Sequence, residues 1–288
     1  GLRGNKTNTI GVLIPTVTQP FLSSLISGIE ITARKSGYNV IIMQSHDSYE
    51  EEVSMAKSLY SSRVSGIICS LGMKTIDTSH FQQFVNNNIP LVFVDRVPKD
   101  FNTFRVIIDN YAAGFKATTH LIEQGCKRIA HITAGSEFGN LYNERKRGYL
   151  DALKKYNLPI EKELMVDLKT VTYNEALKAS TKLLDLKNRP DGLFASGDIM
   201  AVSAIQSAKR KGLRIPEDFA VIGFNNDPIS EIIDPNLSTI THPAAKMGQM
   251  SAEIILKSIK FPNKDEVKEI TFLNTEVLVR ESSKRKEL

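Results

Sequence analysis

Between residues 9 and 95, four runs apolar on consecutive positions, "TIGVLIPT", "YNVIIMQ", "GIICS" and "PLVFVD", alternate with segments of helical spacing. A strand that is apolar residue after residue must be buried on both faces, and parallel strands covered by helices are the arrangement that does this. After the first run, Phe21, Leu22, Leu25, Ile26 and Ile29 recur at three and four, which predicts one apolar helix face ending at Gly37. Val53, Ala56 and Leu59 predict a second helix between "YNVIIMQ" and "GIICS".

The rhythm breaks at "KDFNTFRVIIDN", residues 99–110, and restarts with a helix through Phe115, Leu121 and Ile122 into "RIAHITA". Helices near 143–156 and 173–186, the strand "GLFASG", a helix over 199–211 and the strand "AVIGFN" make a second series. The chain then crosses "STITHP", forms a helix carrying Met247, Met250, Ile254 and Ile255, and ends in two short β-runs, "EITFL" and "EVLVR". The tail "ESSKRKEL" reads as a solvated, fraying end. The expected class is α/β: two doubly wound parallel-sheet lobes with several crossings between them. Open α/β sheets bind ligands outside the carboxyl ends of their strands, so a cleft between the lobes is the expected site.

Composition narrows the function classes. The 288 residues are 41% hydrophobic and 24% charged, ordinary for a globular chain. The net charge of +5 gathers partly at the ends, in Arg3, Lys6, Lys284, Arg285 and Lys286, and so does not establish nucleic-acid binding. Cys69 and Cys126 stand apart without CxxC spacing, which favours free thiols in a reducing compartment. No apolar run approaches the ~18 residues of a membrane span, and no signal peptide is seen.

Enzyme signatures are missing: no phosphate loop, no dinucleotide fingerprint, no HExxH and no GxSxG. His46, His80, His120, His131 and His242 are scattered without helical metal spacing, so solvated or satisfied structural histidines are expected, with no metal and no cofactor. Polar residues instead collect where strands end: Asp95 and Arg96 in "FVDR", Asp109 in "VIID", Asp198 in "ASGD" and Asn225 in "GFNN". Arg145 opens a helix in "LYNERKRGY", and Gln19 and Phe21 sit at the first strand-to-helix turn. Carboxylates, amides, a guanidinium and an aromatic suit a polyhydroxylated or heterocyclic small molecule. Each also has a plainer reading. Asp and Asn at strand ends cap helices or form turns, as Asn226 and Asp227 are expected to; Pro20 is a good first helical residue; Phe21 can top the core; Arg145 can pair with Glu144 or Asp151.

Several stretches together resemble the effector-binding core of LacI/GalR transcriptional regulators, a periplasmic-binding-protein-like (type I) fold. They include "LRGNKTNTIGVLIPT", "QPFLSSLISGIE", "IPLVFVDR", "VIIDNYAAGFKATTHLIEQGCKRIAHI", "RKRGYLDAL", "GDIMAVSAIQSAKRKGLRIPEDFAVIGFNND" and "LSTITHPAAKMGQMSAEIIL", and they span Leu2 to about Ser282. The resemblance implies the following domains. Residues 1–8 are the remnant of a hinge or linker, 9–108 with 243–272 the N-terminal lobe, and 109–242 with 273–288 the C-terminal lobe. Lys6, Thr7, Thr9, Ile10 and Gly11 match the family's link to its first core strand, and Leu2 falls where the hinge helix carries its minor-groove leucine. The helix-turn-helix that would read operator DNA is absent from this chain, which is expected to be the regulatory part of a longer protein.

Carried over residue by residue, the resemblance makes Gln19, Phe21, Asp95, Arg96, Arg145, Asp198, Asn225 and His242 effector-facing, with Arg145 the gripping arginine. Arg96 stands where relatives often have an aromatic, Val171 where they often have an aromatic lid, and Asn225 where they usually have an aspartate. A cytoplasmic, non-enzymatic homodimer is implied, in which a small molecule, a sugar or sugar derivative, shifts lobe and dimer geometry and so controls operator binding. The rival is an exported sugar-binding protein serving a transporter, expected to be monomeric.

Overall fold

A computed structural model describes residues 7–263 and 265–285, so Leu2 and Lys6 lie outside the described residues. The chain divides into two compact units: residues up to Ile108 with Pro243–Leu273, and Asp109–His242 with the chain from Asn274 onward. The last crossing thus falls one residue after the boundary expected at 272.

In chain order the first unit contributes β1 (Thr9–Ile14), α1 (Pro20–Lys35), β2 (Asn39–Gln44), α2 (Tyr49–Ser61), β3 (Gly66–Cys69), α3 (Gln82–Asn86), β4 (Leu91–Val94) and β5 (Phe104–Ile108). The second contributes α4 (Asn110–Glu123), β6 (Ile129–Ala134), α5 (Leu141–Lys155), β7 (Met165–Leu168), α6 (Tyr173–Leu184), β8 (Gly192–Ala195), α7 (Asp198–Arg210), β9 (Ala220–Ile222), α8 (Ile229–Ile232) and β10 (Thr239–Ile240). The chain returns to the first unit for α9 (Ala244–Lys260) and β11 (Ile270–Leu273), and to the second for β12 (Val277–Leu278).

The first sheet has the order β11-β5-β4-β3-β1-β2 and is parallel throughout. β3 and β4 are buried at every residue, as their unbroken apolar runs require. α1 buries Leu22, Leu25, Ile29 and Ala33, and each Leu or Ile so enclosed contributes roughly 1.5–3 kcal/mol. α9 crosses α1 so closely that a Cβ on Gly28 would stand 2.1 Å from the Ala245 carbonyl oxygen. In the second unit the sheet order is β7-β6-β8-β9, again all parallel, and β10 pairs with β12 antiparallel.

Three expectations need correction. Residues 99–110 do not interrupt the first series, because β5 joins the sheet beside β4. Its burial alternates, so Phe104, Val106 and Ile108 are buried while Arg105 is not, and its continuous apolar run is only the three residues 106–108. β7 was not expected at all. It is an edge strand buried fully only at Leu168, which removes the pressure for an apolar sequence. The tail is not a fraying end through Arg285. Ser282 and Ser283 are both fully buried, and Val221 N–H donates to the Ser282 carbonyl at 2.9 Å.

Candidate functional site

Arg145 lies in the first turns of α5, and the backbone beneath it is set by glycines. A Cβ on Gly114 of α4 would fall 2.1 Å from the Arg145 carbonyl oxygen, and one on Gly148 would fall 2.2 Å from that of Tyr111. With both glycines in place, α4 and α5 approach closely enough to shut Arg145 in, and the residue is 2% exposed. Its Nε donates to Asn110 Oδ1 at 2.9 Å, and an Nη donates to the Ser196 carbonyl at 2.7 Å, just beyond β8. The guanidinium lies over the Phe224 ring, 3.5 Å from its centroid, with Tyr142 at 5.3 Å. A desolvated stack of this kind contributes ~2 kcal/mol or more. The ion pair with Glu144 or Asp151 is not the arrangement found: Glu144 pairs with Arg147, and Asp151 accepts from the Tyr111 hydroxyl.

Phe224 links Arg145 to the other candidates of this unit. His242 meets its edge, centroids 5.8 Å apart and planes at 88°, and His242 Nδ1 lies 2.9 Å from Asn225 Oδ1. Asn225 follows β9 with φ 110°, and its N–H donates to the Ile240 carbonyl at 3.0 Å. Asn110, Arg145, Phe224, His242 and Asn225 therefore form one chain of contacts at the carboxyl ends of β8 and β9. Sequence reasoning missed Asn110, Phe224 and Ser196. Phe224 was legible as the aromatic following a buried strand, but Asn110 carried no signal beyond its place after a strand.

Asp198, expected to face the effector, is fully buried and accepts from Phe224 N–H (2.9 Å), Asp227 N–H (2.7 Å) and Thr239 Oγ1 (2.8 Å). Gly223 lets the carboxylate approach, since a Cβ there would stand 2.3 Å from Asp198 Oδ1. Burial foremost, and then the charge of Asp227, push its carboxyl up to about 7 against the opposing pull of the three hydrogen bonds. Its work is to hold the 224–227 turn in place. Asn226 and Asp227 do belong to that turn, with Asn226 Oδ1 accepting from Arg280 at 2.9 Å. Asp109 takes the plainer of its two readings and caps α4 through the Ala112 N–H at 2.9 Å.

His131 is a satisfied core histidine, stacked between Tyr149 and Phe194 and bonded through Nδ1 to the Phe194 carbonyl at 2.7 Å. Burial drives it down to about 3, so it stays neutral.

In the first unit, Asp95 follows β4 directly with φ 64°, a left-handed conformation that Asp tolerates better than most residues, and its N–H donates to the Val106 carbonyl. Arg96 pairs with Asp47, Nη1 to Oδ1 at 3.3 Å, and Asp47 also accepts from Met73 N–H at 3.0 Å. Gln19 is exposed at the start of α1 and makes no capping bond, and Phe21 behind it is half-buried. A second carboxylate went unread. Glu52 is buried and accepts from Gly72 N–H (2.7 Å) and Thr75 Oγ1 (2.9 Å), with His80 Nε2 at 2.8 Å. Its signal was spacing, for residues 52, 56 and 59 share one helix face with Ala56 and Leu59 in the core. A cavity of about 230 Å³ in this unit, lined by Pro90, Leu91, Thr103 and Phe104 among others, opens at the amino ends of β4 and β5, opposite Asp95.

Two parallel α/β units, the second with polar side chains gathered at its strand ends, define the periplasmic-binding-protein-like class. The family model for a periplasmic binding protein-like domain matches residues 118–283. The HTH-type transcriptional repressor CytR of Escherichia coli K12 is 32% identical over 259 residues, covering 90% of this chain and 75% of that protein. The crystal structure of the transcription regulator CcpA of Lactococcus lactis superposes with a TM-score of 0.85 at 26% identity, covering 96% of this chain and all of the other. A LacI family regulator from Enterococcus faecium with bound ribose gives 0.82 at 28%, with 96% and 100% covered. The chain belongs to the LacI/GalR family of transcriptional regulators and carries its periplasmic-binding-protein-like core. PurR of Aliivibrio salmonicida, 30% identical over 284 residues, is likewise an HTH-type transcriptional repressor. Among the described residues no helix is long and apolar enough to cross a membrane, and no cluster of three His, Cys, Asp or Glu is placed to hold a metal ion.

Proposed function

We propose that this chain is the effector-binding and dimerisation part of a cytoplasmic, non-enzymatic repressor that senses a small molecule, a sugar or sugar derivative, without a cofactor. The observation that carries the reading is the buried Arg145 guanidinium laid across Phe224 beside Asn225 and His242. A planar fork over an aromatic, next to an amide, can bind two ligand oxygens in fixed directions. The bound ribose of the Enterococcus faecium relative supports a carbohydrate. Arg145, Asn225 and His242 are the effector-facing groups of the second unit. Gln19, Phe21, Asp95 and Arg96 remain the candidates of the first.

The mechanism is a population shift. The effector favours one conformation of the dimer, and that conformation sets whether the DNA-binding part of the full protein seats in its operator half-sites. Thermal-shift screening against mono- and oligosaccharides, nucleobases and sugar phosphates tests the reading, because a ligand at a hundredfold its Kd stabilises by ~2.7 kcal/mol. Arg145→Ala is expected to abolish any ligand-induced shift, measured from the variant's own Tm, while sedimentation still finds a dimer. A full shift in the variant removes Arg145 from the site. A wild-type monomer at micromolar concentration favours the exported sugar-binding protein instead.

A further inference from the structure

Backbone strain falls on a residue outside the set of effector candidates. Among the described residues, eight that are not glycine have a positive φ. Arg63, Asn88 and Asn157 each stand just past the C-cap of a helix, α2, α3 and α5 in turn, where a left-handed residue commonly closes the helix. The other five are His46, Asp47, Asp95, Asn225 and Asn226. They end no helix and instead follow strands β2, β4 and β9, on the carboxyl side where open α/β sheets bind ligands. Backbone in so sparsely populated a region persists only where its surroundings impose it, and it gathers at ligand sites. Asp95 and Asn225 are already candidates, and Asn226 shares the turn of Asn225. That leaves His46 and Asp47, at φ 53° and 59°.

The turn they form is bent toward the middle of the first sheet. β2 and β4 are separated there by β1 and β3. His46 N–H donates to the Pro15 carbonyl at 2.7 Å, which lays the turn over the end of β1. Asp47 Oδ1 then accepts from Met73 N–H, beyond β3, at 3.0 Å, and from Arg96 Nη1, beyond β4, at 3.3 Å. Leu71 N–H donates to the Arg96 carbonyl at 2.9 Å, so the loops after β2, β3 and β4 close into a ring through the Asp47 carboxylate. The β3 loop is itself fixed by the buried Glu52, which accepts from Gly72 N–H and Thr75 Oγ1. An arginine side chain left alone samples many rotamers, and ordering it on a ligand costs affinity; one already held by a carboxylate meets the ligand in place.

We infer that Asp47 is a positioning residue of the effector site, holding the Arg96 guanidinium ready for the effector without touching the effector itself. This rests on the reading of Arg96 as effector-facing. Asp47→Asn isolates the effect. Asparagine tolerates a positive φ as aspartate does, and its amide oxygen still accepts from Met73 N–H, but the charge opposite Arg96 is gone.

The whole chain labelled with ¹⁵N gives a readout that needs no ligand. The Arg96 Nε–H resonance, identified by its loss in Arg96→Ala, is expected to show the heteronuclear NOE of an ordered group in the wild type and a clearly lower one in Asp47→Asn. Equal values overturn the inference. D-ribose, D-glucose, D-galactose and D-ribose 5-phosphate are then titrated calorimetrically into the wild type, both single variants and the double variant. For whichever of these binds, Asp47→Asn is expected to weaken binding about two- to tenfold, the cost of ordering one rotamer-rich side chain. It should make no further difference once Arg96 is replaced by alanine. A loss that persists without Arg96 overturns the inference, because Asp47 then acts by another route. Tighter binding in Asp47→Asn overturns it too, because the carboxylate then competes with the effector for Arg96. No response from any of the four compounds counts against the sugar-sensing reading, while the NOE comparison still decides whether Asp47 holds Arg96.

Discussion

At Asp198 a carboxylate is shut away from solvent, and the donors around it only partly compensate for its lost hydration. Its carboxyl titrates near 7 in the folded chain, against about 3.9 when unfolded. The native state therefore binds the extra proton between these limits. The stabilisation linked to it is complete below the unfolded value and is lost as pH rises through about 7. His131 and His120 act in the opposite sense, since burial lowers both and acid favours the unfolded chain that can protonate them. A difference measurement removes their contribution. Asp198→Asn is expected to cost roughly 1–3 kcal/mol by turning an amide N–H toward the turn's donors, and its Tm deficit from wild type should be larger at pH 5 than at pH 7.5. Equal deficits at the two pH values would mean that Asp198 does not titrate in this range. Asp198 also shows where legibility stops at this scale. It and Asn225 look alike as polar residues after buried strands, yet Asp198's partners lie 26, 29 and 41 residues further along the chain. Only the fold tells which of the two is locked inside.

Helices α4 and α5 form the tightest element pair behind the candidate site, and glycine makes the contact possible at Gly114 and Gly148. An added methyl at Gly114 meets backbone rather than a side chain that could swing aside. α5 must therefore move away, and overpacking of this kind costs about 1–3 kcal/mol, occasionally more. Because the atom struck is the carbonyl of Arg145 itself, Gly114→Ala should weaken effector binding at least as markedly as it lowers Tm. Calorimetry at a temperature where the variant is fully folded checks this, and unchanged affinity there would separate the helix contact from the site. Elements that are buried on both faces, such as β3, β4 and β8, were readable as apolar runs. β7 lies at a sheet edge and needs no such run, so it escaped; β5 alternates, and its short apolar run at 106–108 marked a strand end without showing that it joins the first sheet.

For the whole molecule, what matters is that neither unit is a continuous stretch of chain: α9 and β11 return to the first, and the residues from Asn274 onward return to the second. Cutting near the end therefore removes an interior part. Ser282 donates to the Val221 carbonyl through Oγ at 2.6 Å and accepts from Ser238 N–H at 2.8 Å, and Ser283 Oγ lies 2.7 Å from His120 Nε2. Arg285 donates from its backbone to Gln124 Oε1 and from its guanidinium to the Asp191 carbonyl. Ending the chain at Glu281 would strip these bonds and leave buried groups on α4, β9 and the strand connections without partners, at about 1–3 kcal/mol each. Several such losses approach the roughly 5–15 kcal/mol that holds a domain together. The shortened chain is accordingly expected to lose its cooperative thermal transition by circular dichroism, whereas a chain ending at Arg285 keeps every one of these bonds and should melt like the parent. A chain ending at Glu281 that still melts within about 2 °C of the parent would show that the tail is dispensable, as its polar sequence first suggested. The polar, charged look of that tail misled because a serine can close a sheet edge as well as a strand does, and composition alone does not distinguish the two.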